Sequence, residues 1–298
     1  MKSMRIAACV VALVVTGFMA PAAYASTVVY AQDFDFPLAT VGDGVNSLPN
    51  DPNGTFYRPI GPAPNDILIS ATTIGSGRSA LAPGDGQEHT LAGFVFAAAY
   101  PSGSAALAPG HFMQLTATMQ FTGTDAKGGI IIGQTQGGGP QYAAGWHIGF
   151  DMSGSNDSMR LTQRDPTAAQ GPNPGDCGAC LGTNLLSESV VEANLAGTPF
   201  EMRLDVFDNS SAQGFYRLTP GSGAWNEIGS GPLSMIGGLD IATNGVDYAM
   251  LTGMSTGSGV NIDDFRLTHM IPLPGAAWLG LSLLAGLGAT RHILRRKG

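Results

Sequence analysis

Cysteine, cationic side chains and helical spacing are all scarce in this chain. Its 298 residues hold 3 cysteines. Once Cys9 is set aside in the N-terminal segment, Cys177 and Cys180 are left, with no histidine near them. Two thiolates supply half of a four-ligand zinc centre, so a zinc site built on them is excluded. Only 12% of residues are charged, with 14 Lys and Arg against 22 Asp and Glu. Setting aside the terminal Lys2, Arg5, Arg291, Arg295, Arg296 and Lys297 leaves 8 basic against 22 acidic residues, a net charge of −14. Such a surface cannot neutralise phosphates, which excludes nucleic acid as a partner. No long stretch between the two ends keeps the apolar spacing of an amphipathic helix, which leaves strands to build the fold.

What is present is a series of short β-type runs separated by turns rich in Gly, Pro and Asn. They are Thr27–Ala31, Ile67–Ile74, Thr90–Ala99, Phe112–Phe121, Gly129–Gly133 and Trp146–Phe150, then Met159–Arg164, Phe200–Phe207, Phe215–Leu218, Val246–Met254 and Val260–Thr268. Several alternate. Met113, Leu115, Ala117, Met119 and Phe121 share one face, while Gln114, Thr116, Thr118 and Gln120 share the other. Phe200, Met202, Leu204 and Val206 oppose Glu201, Arg203, Asp205 and Phe207 in the same way. Period two with one apolar face marks an antiparallel sheet half covered by a core. The expectation is an all-β, two-sheet antiparallel sandwich forming one domain over 26–270. Two long irregular loops, Phe36–Asp66 and Asp165–Glu188, interrupt it, and loops of that length either carry binding contacts or are disordered.

Both ends read as export signals. Lys2 and Arg5 precede an apolar run, Ile6–Ala20. Ala23-Tyr24-Ala25 is then a small-x-small cleavage site that places the mature start at Ser26 and makes 1–25 a signal peptide. Residues 271–298 open with Pro272-Leu273-Pro274-Gly275-Ala276-Ala277-Trp278. As a helix, Gly275 to Leu294 rises about 30 Å, the hydrocarbon thickness of a bilayer. No Asp or Glu follows Ile271, and Arg291, Arg295, Arg296 and Lys297 form a basic stop that orients the C-terminus inward. One C-terminal transmembrane helix is therefore expected, and an ordinary single-pass anchor satisfies the same physics.

These C-terminal residues resemble the PEP-CTERM sorting tail of Gram-negative bacteria, in its Pro-Leu-Pro-Ala-Ala-x-Trp-Leu variants. Gly275 replaces the first Ala of the variant, and Leu273 stands where the commoner motif has Glu. The resemblance implies transient anchoring in the inner membrane and cleavage by an exosortase. It further implies a final place at the cell surface or outside the cell, in association with exopolysaccharide or biofilm. Separately, Tyr30-Ala-Gln-Asp-Phe-Asp35 and Val260-Asn-Ile-Asp-Asp-Phe-Arg-Leu267 resemble the paired terminal strands of concanavalin-A/laminin-G-like jelly rolls. The succession Phe200–Val206, Phe215–Leu218 and Trp225–Ile228 resembles the same family.

Few residue clusters between the ends carry chemistry. Cys177 and Cys180 lie in a Pro/Gly loop, away from the strand-to-helix junction of a thioredoxin site; in an oxidising compartment they read as a short disulfide. Gly253-Met254-Ser255-Thr256-Gly257 fits the nucleophile-elbow pattern, with Asp263, Asp264 and His269 after it. An elbow needs a helix next, and here another strand follows, so the match carries no catalysis. Glu201 and Asp205 lack the spacing and the third acid of β-glucan hydrolases on jelly rolls, and both fall on a solvent face. If the first and last strands pair, Asp33, Asp35, Asp263 and Asp264 come close, and calcium would relieve their repulsion. Asp263 and Asp264 satisfying turn amides is the competing reading. Tyr57, Tyr142, Trp146, Tyr216 and Trp225 are candidate sugar-stacking aromatics. No catalytic constellation emerges. The expectation is a non-catalytic, exported surface or matrix protein, with a lectin-like carbohydrate-binding module and a polysaccharide-degrading enzyme as alternatives.

Overall fold

The structure is a computed structural model that describes residues 24–34, 56–57, 68–74, 77–82, 89–93, 107–123, 126–134, 144–153, 156–164, 184–191, 195–234, 248–254 and 259–273. These form fifteen strands in chain order: β1 (Tyr24–Gln32), β2 (Phe56–Tyr57), β3 (Leu68–Ser70), β4 (Ser79–Ala82) and β5 (His89–Gly93). β6 (Phe112–Phe121), β7 (Lys127–Gln134), β8 (Ala144–Ser153), β9 (Asn156–Arg164) and β10 (Asn184–Val191) follow. β11 (Phe200–Phe207), β12 (Ser211–Arg217), β13 (Asn226–Ser234), β14 (Tyr248–Met254) and β15 (Val260–Pro272) complete the series. Eight strands form one sheet, in the order β13-β12-β11-β6-β15-β4-β3 with β1 also pairing β15; seven form the other, β10-β9-β8-β7-β14-β5-β2. The described residues are thus all-β, in two sheets, and every pair of defined register runs antiparallel.

The apolar alternation decides which face of each strand enters the core. Met113, Leu115, Met119 and Phe121 of β6 are fully buried, as are Phe200, Met202, Leu204 and Val206 of β11. From the second sheet Ile130 and Ile132 of β7, Met159 and Leu161 of β9, and Leu251 of β14 join the same cluster. Each such side chain contributes about 1.5–3 kcal/mol relative to leaving it in water. The core is therefore the interior between the two sheets, although β7 is buried on both faces, Ile131 being buried like Ile130 and Ile132.

Four strands escaped the sequence pattern, one of them β13, which only the family resemblance at Trp225–Ile228 touched. β4 is the small-residue run Ser-Ala-Leu-Ala. β2 lies inside the expected loop Phe36–Asp66, and the first residues of β10 lie inside the expected loop Asp165–Glu188. β15 has a break of its own. Val260 to Asp263 are all buried, whereas after Asp264 (φ 50°) burial alternates, with Phe265 and Leu267 in and Asp264 and Arg266 out. The Asp264 N–H donates to Asp263 Oδ1 at 2.8 Å. Aspartate tolerates the left-handed region, and past this pair the core-facing side chains change from Val260 and Ile262 to Phe265 and Leu267.

Thr27–His269 form one compact unit. Met1–Ser26 with Met270–Gly298 form a second, of which the structure describes Tyr24–Ser26 and Met270–Leu273. Among the described residues no helix is long and apolar enough to cross a membrane; the expected C-terminal span lies outside them.

Candidate functional site

The outward face of the first sheet carries the densest polar network among the described residues, and the strand registers build it. β11 pairs β12 on one side and β6 on the other. Arg217, Glu201 and Thr118 therefore form one row, Phe215, Arg203 and Thr116 a second, and Gln213, Asp205 and Gln114 a third. In the third row Asp205 accepts from Gln114 Nε2 at 3.0 Å. Arg203 reaches along its own strand, with Nε 2.9 Å and 3.1 Å from the two Asp205 oxygens, and its Nη2 completes a bidentate ion pair. In the first row Arg217 Nε is paired to Glu201, and Glu201 Oε1 also accepts the Gly221 N–H at 3.2 Å.

Aromatic rings hold the two guanidinium groups. Arg203 Cζ lies 4.4 Å from the centre of the Phe215 ring and 5.7 Å from that of Trp225. Arg217 Cζ lies 4.5 Å from Trp225. Cations this close to a ring face are attracted by its quadrupole. Trp225, just before β13, thus serves as a half-exposed platform fixed by two arginines. At the rim, Gln213 Nε2 donates to Glu227 Oε1 at 2.6 Å.

One sequence expectation fails here. Asp205 was expected on a solvent face, yet it is 2% exposed. Burial pushes its carboxyl above the usual range, and Arg203 and Gln114 oppose that push. Glu201 and Asp205 are both committed to arginines, whose protons are not given up at any ordinary pH. The chemistry on offer is hydrogen bonding by planar guanidinium, amide and carboxylate groups beside an aromatic ring. Thr118, buried in the first row, has an Oγ1 without any hydrogen-bond partner.

The expected calcium residues lie nearby. β1 does pair β15. The Asp264 carboxyl is raised first by burial, then by Glu201 and, after an opposing effect of Arg266, by Asp33, so these acids sense one another. Asp263, however, is fully buried, with Oδ1 bound to the Asp264 N–H, the turn-amide role of the competing reading. Among the described residues no group of three or more His, Cys, Asp or Glu is arranged to hold a metal ion. Asp35 lies outside them.

The remaining candidates scatter. Ala25 and Ser26 sit in the exposed start of β1, and Pro272 ends β15 with Leu273 after it. Ala23, Cys177, Cys180, Tyr142, Ser255, Pro274 to Trp278 and the basic stop Arg291, Arg295, Arg296 and Lys297 lie outside the described residues. Tyr57 falls in β2 and Trp146 in β8, while Tyr216 is half-buried against the core. His269 Nε2 lies 2.9 Å from His111 Nδ1, and Ser255, the nucleophile of the elbow pattern, lies outside the described residues. No sequence signal announced that pair, which joins residues 158 positions apart.

No known family model matches the chain, and no curated protein matches it. Among solved structures it is similar to the potassium-bound carbohydrate recognition domain of Emp46p, at 9% identity over 76% of this chain and 95% of that one, TM-score 0.47. It is also similar to the globular domain of T. cruzi calreticulin, at 10% identity over 90% of this chain and all (100%) of that one, TM-score 0.45. A third similarity is to a carbohydrate esterase from the Shiga toxin-encoding bacteriophage phi24B, at 12% identity over 84% of this chain and 100% of that one, TM-score 0.41. Likeness of this degree identifies no family and no ligand, and the architecture rests on the two sheets themselves.

Proposed function

We propose that this chain is a non-catalytic, glycan-binding protein that acts outside the cell, with a jelly-roll sandwich as its binding module. One observation carries the reading: the outward rows of β12, β11 and β6 present fixed planar donors and acceptors beside the Trp225 ring, with both acids tied to arginine. Sugars offer vicinal hydroxyls to planar polar groups and an apolar C–H face to an aromatic ring, so this set of side chains matches them. Acids held by arginines are poorly placed to shuttle protons, which favours binding over hydrolysis.

The proposed location rests on the sequence motifs near the two ends. Residues 1–25 read as an export signal, and residues 271–298 as a sorting tail handled by an exosortase at the inner membrane. Exopolysaccharide of the producing cell is the natural ligand in this reading. The test uses the full-length chain in detergent on an array of bacterial polysaccharides and oligosaccharides. Saturable binding that is lost on Trp225→Ala and on Arg217→Ala supports the proposal. Sugar release from any of those glycans, or binding indifferent to both substitutions, overturns it.

A further inference from the structure

We propose that His111 and His269 form a two-histidine site for a borderline divalent transition-metal ion of the zinc, copper(II) or nickel(II) class. His111 immediately precedes β6 and His269 lies in its neighbour β15, so the sheet itself brings the rings together. Nδ1 of His111 and Nε2 of His269 are 2.9 Å apart, with ring centroids at 5.0 Å. Metal–imidazole bonds are about 2.0–2.1 Å, so two at the right angle of a tetragonal copper(II) or nickel(II) ion hold their nitrogens about 2.9 Å apart, and two at the tetrahedral angle of zinc about 3.3 Å. The rings therefore already stand at the spacing of neighbouring ligands on copper(II) or nickel(II), and a small opening of the pair reaches that of zinc.

The backbone under His111 is fixed from two directions. Its N–H donates to Ala108 O at 2.9 Å, and its carbonyl accepts the Asp208 N–H at 3.2 Å. The Asp208 carboxylate in turn accepts the Gly110 N–H at 2.9 Å. His269 is held in the sheet by β15. Site formation thus needs little ordering, which removes one ordinary cost of binding.

Both residues are half-buried. Without an ion, one ring donates a hydrogen bond and the other accepts it. On binding, the donor ring moves that proton to its other nitrogen, both facing nitrogens offer lone pairs, and no net proton is released. Imidazole donors suit zinc, copper and nickel, whereas calcium and magnesium prefer oxygen. Two protein ligands leave the remaining positions to water.

The experiment is calorimetric titration of the full-length chain, stripped with chelator, with zinc or nickel alone and with calcium as the contrast. One ion per chain is expected for zinc and nickel, and none at this site for calcium. His111→Ala and His269→Ala should each weaken binding by at least about tenfold, the scale on which even outer-sphere losses weaken metal sites. His89→Ala and His147→Ala should leave it unchanged. Because an alanine variant in β15 risks misfolding, copper(II) electron paramagnetic resonance on the unaltered chain gives a second reading, with coupling to two imidazole nitrogens expected. Saturable zinc binding that survives the double replacement of His111 and His269, or a folded chain that binds neither zinc nor nickel, overturns the proposal.

Discussion

Removing Arg203 is the sharpest perturbation of the polar network, because of what it leaves behind. Asp205 is 2% exposed and gets most of its compensation from the Arg203 guanidinium, with Gln114 alone remaining after Arg203→Met. Stripping one partner from a buried ion pair costs about 3–5 kcal/mol, since the surviving charge is both desolvated and unpaired. Loss of the Phe215 and Trp225 ring contacts adds about 0.5–1 kcal/mol. Replacing both members, as in Arg203→Met with Asp205→Leu, leaves no orphan charge and should come within about 1–2 kcal/mol of the parent. Acid should ease the single variant. A carboxyl whose folded pKa lies above its unfolded value contributes stability that is present below the unfolded value and is lost as pH rises through the folded one. Burial already pushes Asp205 that way, and the variant removes the opposing arginine. Urea unfolding followed by circular dichroism, carried out at one acid and one mildly alkaline pH, reads both effects. A single variant within about 1 kcal/mol of the parent, or a defect equal at both pH values, would refute the reasoning.

Three further outcomes follow from the geometry. Thr118→Val deletes a buried hydroxyl without a hydrogen-bond partner, so it should be neutral or raise stability by up to about 1 kcal/mol, and a clear fall in the urea midpoint would contradict that. Gly259→Ala puts a methyl 2.6 Å from Leu81 Cδ1 and 3.1 Å from the Ala82 carbonyl, where overpacking costs about 1–3 kcal/mol; an unchanged melting temperature would show that the strand yields freely. Burial, and secondarily His111, hold the His269 pKa below its usual value. Its neutral form therefore contributes stability that is present above about pH 6.5 and lost as pH falls through the folded value. His269→Gln should flatten the slope of stability against pH in that window, and an unchanged slope would sink the assignment.

Legibility followed the physics of each signal. β6 and β11 were readable to the residue because one strong face alternates with one polar face, and the observed bounds Phe112–Phe121 and Phe200–Phe207 match the pattern. β4 was not readable, since Ser79, Ala80 and Ala82 carry too little apolar contrast to register as a period. The start of β10 was hidden by a Pro- and Gly-rich neighbourhood. Glu201 and Asp205 were correctly put on the outward face, but Asp205 sinks because Arg203 from two positions earlier and Gln114 from another strand close over it. Pairings such as His111 with His269 depend on which distant strands become neighbours, and alternation within one strand carries no such information. The sequence reading of the termini concerns residues mostly beyond the described ones and rests on the motifs alone.

The most direct test of the central claim is to incubate the full-length chain with exopolysaccharide isolated from the producing cells and measure retained protein and released sugar together. The account predicts retention that saturates, that disappears on Trp225→Ala, and that is accompanied by no new reducing ends. Reducing ends accumulating with time, or a Trp225→Ala chain retained as fully as the parent, would contradict it.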